Sequence, residues 1–158
     1  MSSDSERDFY RGLVELGDQT DPSVFLAQAL KLAVDATGAR IGYLAIGPRP
    51  LEDPLWSHAV GVEDQAALRR AVSSTIVDHA AGELVLTHDA LGDHRFGDAP
   101  SVRENRIDQV LGMPFVGGVL YLQGRIRPVP FGDDDLRLAH AFVRHLAPLA
   151  SQLRWRAR

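Results

Sequence analysis

The sequence predicts an α+β domain, and three observations carry that prediction. Short apolar runs bounded by glycine or proline recur through the middle of the chain. Two of them, Val110 to Val116 and Val119 to Leu122, are separated only by Gly117-Gly118. Segments with helical spacing gather at the two ends.

The N-terminal helix is read from Ser3-x-x-Glu6, which has capping-box spacing, and from Phe9, Leu13 and Leu16 at i, i+4, i+7 before Gly17. A second helix follows, with Asp21 as N-cap, Pro22 at the first helical position, a stripe of Leu26, Ala29, Leu30 and Ala33, and Gly38 as terminator. Ile41 to Gly47 is apolar and short enough for a buried strand, and Leu55 to Val60 is a second. Glu63 to Val72 predicts a short helix. Ser73 or Ser74 caps another in which Ile76, Val77 and Ala80 face inward until Gly82. Leu84 to Thr87 predicts a third strand.

The polar stretch from His88 to Arg106 is long for a simple connection, and Ser101-x-x-Glu104 predicts a helical turn within it. Gly117-Gly118 then predicts a two-residue hairpin joining two antiparallel strands. Asp133-Asp134-Asp135 begin a final helix that ends in arginines, as the helix dipole favours. Leu136, Ala139, Val143, Leu146, Ala150 and Leu153 recur in steps of three and four, with Leu138, Phe142 and Leu149 beside them. Pro148 is expected to bend this helix or end its first part.

A chain of 158 residues can bury one core, so one domain is expected: a helical extension over 1–19, a core over 20–153 and a basic tail over 154–158. The formal charge of −4 provides no global positive field, which argues against nucleic acid or an anionic membrane as partner. There is no cysteine, so disulfides, thiolate nucleophiles, thiolate metal ligands and thioether attachment are excluded. No apolar run approaches the roughly 20 residues that span a bilayer, and Met1 to Asp8 has no feature of an export signal; a cytoplasmic location is expected.

The block Ser74-Thr75-Ile76-Val77-Asp78, then Val85 to Ala90, Asp93-His94-Arg95-Phe96 and Ser101-Val102, resembles GAF domains, most closely those of bacterial transcription regulators of the enhancer-binding type. The resemblance continues through Ile107 to Phe115 and Gly118 to Leu122, and covers roughly residues 20–153. It implies an antiparallel sheet of five or six strands in a GAF-like (profilin-like, PAS-like) arrangement, with the terminal helices on one face and a ligand pocket on the other. It also implies a sensory or regulatory, non-enzymatic role, an unknown small-molecule ligand, a homodimer, and an output domain in a longer parent protein. The residue set of cyclic-nucleotide-binding relatives is missing. So are the cysteines that the methionine sulfoxide reductases of this superfamily require.

Tyr43, Ile76, His79, His88, Asp89, His94, Arg95, Phe96 and Met113 are the pocket candidates that the resemblance places around the cavity. For Asp89, Asp93, Arg95 and Phe96 the plain alternative is loop structure, and for Tyr43, Ile76 and Met113 it is core packing. The spacing of His79, His88 and His94 favours solvated or hydrogen-bonded histidines over ligands, so no metal or cofactor is expected, although a haem or metal sensor stays open as an alternative. The final helix is apolar over more than half its circumference. Ala139, Val143, Leu146 and Leu153 are therefore expected to meet Phe9, Leu13 and Leu16 of a second subunit. A purely structural dimerisation module with a vestigial pocket is the other alternative.

Overall fold

Each end of the chain is helical because its apolar residues are spaced for a buried stripe, while the apolar runs of the middle suit a sheet covered on both faces. The computed structural model describes residues 3–15, 21–115, 117–126 and 129–156. Helix α1 spans Ser3–Glu15. Helix α2 spans Pro22–Thr37; the Asp21 carboxylate accepts the Ser23 N–H at 2.9 Å at its start, and Gly38 ends it with φ 71° and its N–H on the Val34 carbonyl. Strands β1 (Ala39–Ile46) and β2 (Trp56–Val60) follow, then α3 (Gln65–Ala71) and α4 (Ser74–Ala80), capped by Asp64 and Ser73. Strand β3 (Val85–Thr87), helix α5 (Pro100–Asn105), strands β4 (Val110–Phe115) and β5 (Gly118–Arg125), and helix α6 (Asp133–Arg156) complete the chain.

The five strands form one antiparallel sheet in the order β2-β1-β5-β4-β3. This bears out the expected α+β class. Alternation along the central strands divides the core in two. Leu44, Ile46, Leu111, Met113, Leu120 and Leu122 pack with α1, α2 and α6, whereas Tyr43, Ala45, Val110, Val119 and Tyr121 pack with α3, α4, α5 and the long connection. Two glycines let helices approach the sheet closely. A Cβ on Gly42 would lie 2.3 Å from Val34 Cγ2 of α2, and one on Gly112 would lie 2.6 Å from the Ala80 Cβ of α4 on the opposite face.

Three local expectations shift. Helix α5 begins at Pro100 with Ala99 as N-cap and no side-chain cap, so Ser101 lies inside the helix; its hydroxyl instead donates to Ser73 Oγ at 2.8 Å. The hairpin is as short as expected but sits one residue earlier: Phe115 pairs with Gly118, Gly117 takes φ 82°, and Gly118 is already strand. Val116 lies outside the described residues. Pro148 does not end α6, which runs through it. A proline removes one hydrogen bond, and the stripe that precedes it, Ala139, Val143 and Leu146, is buried and anchors the helix.

The apolar seam of α6 is spent within the chain. Ala139, Val143 and Leu146 are buried, and so are Leu138 and Phe142 beside them. Phe9 and Leu13 of α1 are buried against the same cluster, with the Phe9 and Phe142 rings 6.2 Å apart. These five dimer candidates are thus core residues of one protomer, because α1 closes over α6 and not over a neighbour. Leu16 and the side chain of Leu153 lie outside the described residues, as do the side chains of the Ser3/Glu6 capping pair. No described helix is long and apolar enough to cross a membrane.

At the far end of the sheet, Arg125 is buried and its guanidinium reaches four partners. It donates to the Thr37 carbonyl at 3.1 Å, the Val129 carbonyl at 3.2 Å and the Pro130 carbonyl at 2.6 Å, and forms an ion pair with Asp135 at 3.1 Å. Asp135 also accepts the Gly132 N–H at 2.9 Å, which caps α6. Removing one member of a buried pair strands the other charge. Asp135→Asn is expected to cost about 3–5 kcal/mol in urea unfolding, whereas Arg137→Gln, at an exposed pair with Asp134, is expected to cost under about 1 kcal/mol.

Candidate functional site

The face of the sheet opposite α1, α2 and α6 is where the expected pocket would open, and side chains of the chain itself occupy it. Tyr43 and Ile76 are fully buried there, and so are Leu68, Val77, Ala80, Tyr121 and Phe96. The Tyr43 hydroxyl donates to the Pro50 carbonyl at 2.5 Å, and burial pushes its ionisation above the ordinary phenol range. Burial drives Tyr121 up further still. Its hydroxyl donates to Gln123 Oε1, Gln123 Nε2 donates to the Ala71 carbonyl at 3.0 Å, and the Ser73–Ser101 pair lies alongside. The Tyr43, Tyr121, Gln123, Ser73 and Ser101 polar groups inside this face are therefore paired within the chain, whereas His79 Nε2 is left without a hydrogen-bond partner among the described residues.

Residues 88–109 form a lid over that face. Ala90 N–H donates to the Asp108 carbonyl at 2.8 Å, and Asp93 turns the chain by accepting the Phe96 N–H at 3.0 Å and the Gly97 N–H at 2.7 Å on its carbonyl. Asp89 accepts the Gly92 N–H at 3.2 Å. Phe96 is the pin: it is 1% exposed, the His79 ring meets it edge-on at 5.3 Å, and the Arg95 guanidinium lies 4.7 Å above it. Arg95 grips Asp93 with both ends of its guanidinium, at 3.1 and 2.8 Å. That hydrogen bonding holds the Asp93 carboxyl well below the usual carboxylate range, against the opposing effect of burial.

The predicted residues thus separate into groups. Tyr43, Ile76, His79 and Phe96 share the filled face; Asp89 and Arg95 shape the lid; His94 is exposed. Met113 lies on the other face, with α6, because its place in β4 is odd-numbered with Leu111. His88 is engaged elsewhere: its Nε2 lies 3.2 Å from the Phe131 carbonyl. His79 Nε2 sits 3.4 Å from the Glu83 carboxylate without hydrogen-bond geometry. Among the described residues no group of three His, Asp or Glu is placed to hold a metal ion.

The open concavities lie elsewhere. One cleft of about 500 Å³ is bounded by Gly47, Pro48, Leu55, Ala81 and Phe115, and another of about 440 Å³ by Leu91, Asp93, His94, Asp98 and Arg103 on the outside of the lid. Neither includes Tyr43, Ile76 or Met113.

Sequence reasoning missed the junction between lid and final helix. Phe131 N–H donates to Gln109 Oε1 at 3.0 Å, its carbonyl faces His88, and its ring lies 5.3 Å from the Arg125 guanidinium. The period of two along β5 could have put Tyr121, Gln123 and Arg125 in line, but not their partners from distant segments.

No protein-family model and no curated protein matches the sequence. Solved structures do match the fold. The GAF domain of a phosphoenolpyruvate-protein phosphotransferase from Coxiella burnetii is 15% identical with TM-score 0.72, covering 96% of this chain and 95% of that one. The corresponding Acinetobacter domain is 17% identical with TM-score 0.70 over the same shares. Free methionine-R-sulfoxide reductase from Neisseria meningitidis is 14% identical with TM-score 0.58, covering 97% and 91%. The chain therefore shares the fold of GAF domains, a fold that also carries an enzyme.

Asp93 has a folded pKa depressed below its unfolded value, so its contribution to closing the lid is complete above about pH 4 and is lost as the pH falls through the depressed value. The ring resonances of Phe96 are expected to shift on acidification below about pH 4, and Asp93→Asn is expected to show the shifted resonances at neutral pH.

Proposed function

We propose that this chain is a sensory or regulatory domain of the GAF type, without a catalytic role, in which the state of the lid is passed to α6. The observation that carries this reading is the Phe131 junction. The lid residues His88 and Gln109, at the two ends of that segment, and the buried Arg125 all meet at the residue that precedes the α6 cap. A lid displaced by a small molecule would lose the His88 contact and loosen the first turn of α6, and coupling of this kind requires the ligand to favour one of the two states. The sequence resemblance supports a bacterial signalling or transcription-regulatory parent with an output domain, in the cytoplasm. The missing cysteines support a non-enzymatic role.

Hydrogen exchange tests this directly. Phe96→Ala removes the pin without touching α6, and amides of residues 133–138 are expected to exchange faster in it. Protection unchanged there, with the lid exchanging freely, would refute the coupling. The filled face of the sheet favours the second reading, a structural module whose pocket is closed by its own side chains, and that outcome would leave this reading standing.

Dimerisation belongs to the proposal, but through a different surface from the one expected. Tyr10 and Val14 lie four residues apart on the outer side of α1, and Val14 is 78% exposed; with Phe25 and His145 they border a groove of about 230 Å³. Light scattering is expected to give a dimer for the wild type and a folded monomer for Val14→Asp. Leu146→Asp is expected to unfold the chain, because it places a charge in the core. A wild-type monomer at high concentration rules dimerisation out.

A further inference from the structure

The two edges of the sheet are built differently. Strand β3 has three residues and is followed by His88 and Asp89, so it offers little to a partner. Strand β2 has five, Trp56-Ser57-His58-Ala59-Val60, in unbroken register with β1 from Gly42↔Val60 to Ile46↔Trp56. Every second residue of an edge strand turns its N–H and carbonyl away from its neighbour. The usual guards are missing: β2 contains no charged residue, no proline and no bulge. Burial holds the His58 imidazole below its ordinary value, so it is neutral at pH 7.

The strand is also held ready. The Trp56 indole donates to Ser23 Oγ at 2.7 Å and the Leu55 N–H donates to the Ile46 carbonyl at 2.8 Å. Gly61, with φ 91°, turns the chain away against the Arg40 carbonyl at the other end. Among the described residues, β2 is hydrogen-bonded into the sheet on the β1 side alone.

Charge decides what could pair with it. Exposed carboxylates stand at both ends, Glu52 and Asp53 before the strand and Glu63 and Asp64 after it. Glu52 is shared with Arg49 at 3.6 Å, Arg69 donates to the Glu52 carbonyl, and Asp64 is engaged in capping α3. Among the described residues Asp53 and Glu63 have no ion pair, and Asp78 of α4 adds a further carboxyl, raised by burial and by the charge on Glu52. Between Gly47 and Gln65 the chain carries four carboxylates and one arginine. An antiparallel second copy centred on His58 would set Asp53 against Glu63 and Glu52 against Asp64, so self-pairing meets like charges at both ends.

We propose that the free edge of β2 is a docking site for an extended segment of a partner protein, uncharged over about five residues and basic on both sides, which joins the sheet as an added strand. The backbone supplies the contact, and the terminal carboxylates select the flanks and exclude a second copy.

The test uses 15N-labelled protein and the peptide Lys-Lys-Thr-Val-Thr-Val-Thr-Lys-Lys at up to about 1 mM. Slowed exchange and shifted amides over Trp56 to Val60 are expected, with affinity falling as salt rises from about 50 to about 500 mM. The Glu-flanked peptide and the form N-methylated at alternate amides are expected not to bind. Asp53→Lys with Glu63→Lys, both exposed, is expected to weaken binding about tenfold without changing the unfolding midpoint. The proposal is overturned by no effect on the β2 amides at the highest concentration, by equal binding of the N-methylated peptide, or by concentration-dependent β2 protection without peptide, which would make the occupant a second copy.

Discussion

A buried guanidinium must have its donors satisfied, and Arg125 meets that demand with groups from three parts of the chain: the end of α2, the Val129-Pro130 turn, and the first turn of α6, all reached from the last residue of β5. Much of the topology follows from this. The Thr37 carbonyl is available because α2 ends at Gly38, Asp135 is available because it also caps α6, and Phe131 is pressed under the guanidinium between the two. An apolar residue at 125 could fill the space but could not gather these segments.

The lid is bound into the same cluster. Phe131 is held by Gln109 from one side and His88 from the other, so the segment over one face of the sheet and the helix on the other face share one hydrogen-bonded residue. The two cores are otherwise separated by the sheet itself. In the proposed reading a change on the lid side would reach α6 around the edge of the sheet, through Phe131, with the strands staying rigid while the covering segments move.

The filled face sets a condition on any ligand. Tyr43, Tyr121, Ile76 and Phe96 are buried in it, and the Tyr43, Tyr121 and Gln123 polar atoms are paired within the chain. A small molecule could enter only by displacing Phe96 and the lid. The Arg95–Asp93 grip and the His79 contact oppose that displacement. Ligand affinity and lid stability are then two sides of one equilibrium.

Local signals in the sequence determined what depends on neighbours a few residues apart: the Asp21 and Gly38 ends of α2, the short apolar runs of β1, β4 and β5, the brevity of the hairpin and the acidic start of α6. The fold class followed from their order. Tertiary structure alone decided how these faces were used. Ala139, Val143 and Leu146 look the same in sequence whether they meet α1 of their own chain or of another, and an apolar stripe does not say what covers it. Met113 and Tyr43 are equally apolar wall candidates, yet the pleat sends them to opposite faces. The contacts of Arg125 with Thr37 and of Phe131 with His88 and Gln109 span tens of residues, and no periodicity encodes them. Short-range spacing fixes which face a side chain takes, whereas long-range chain closure fixes what that face touches.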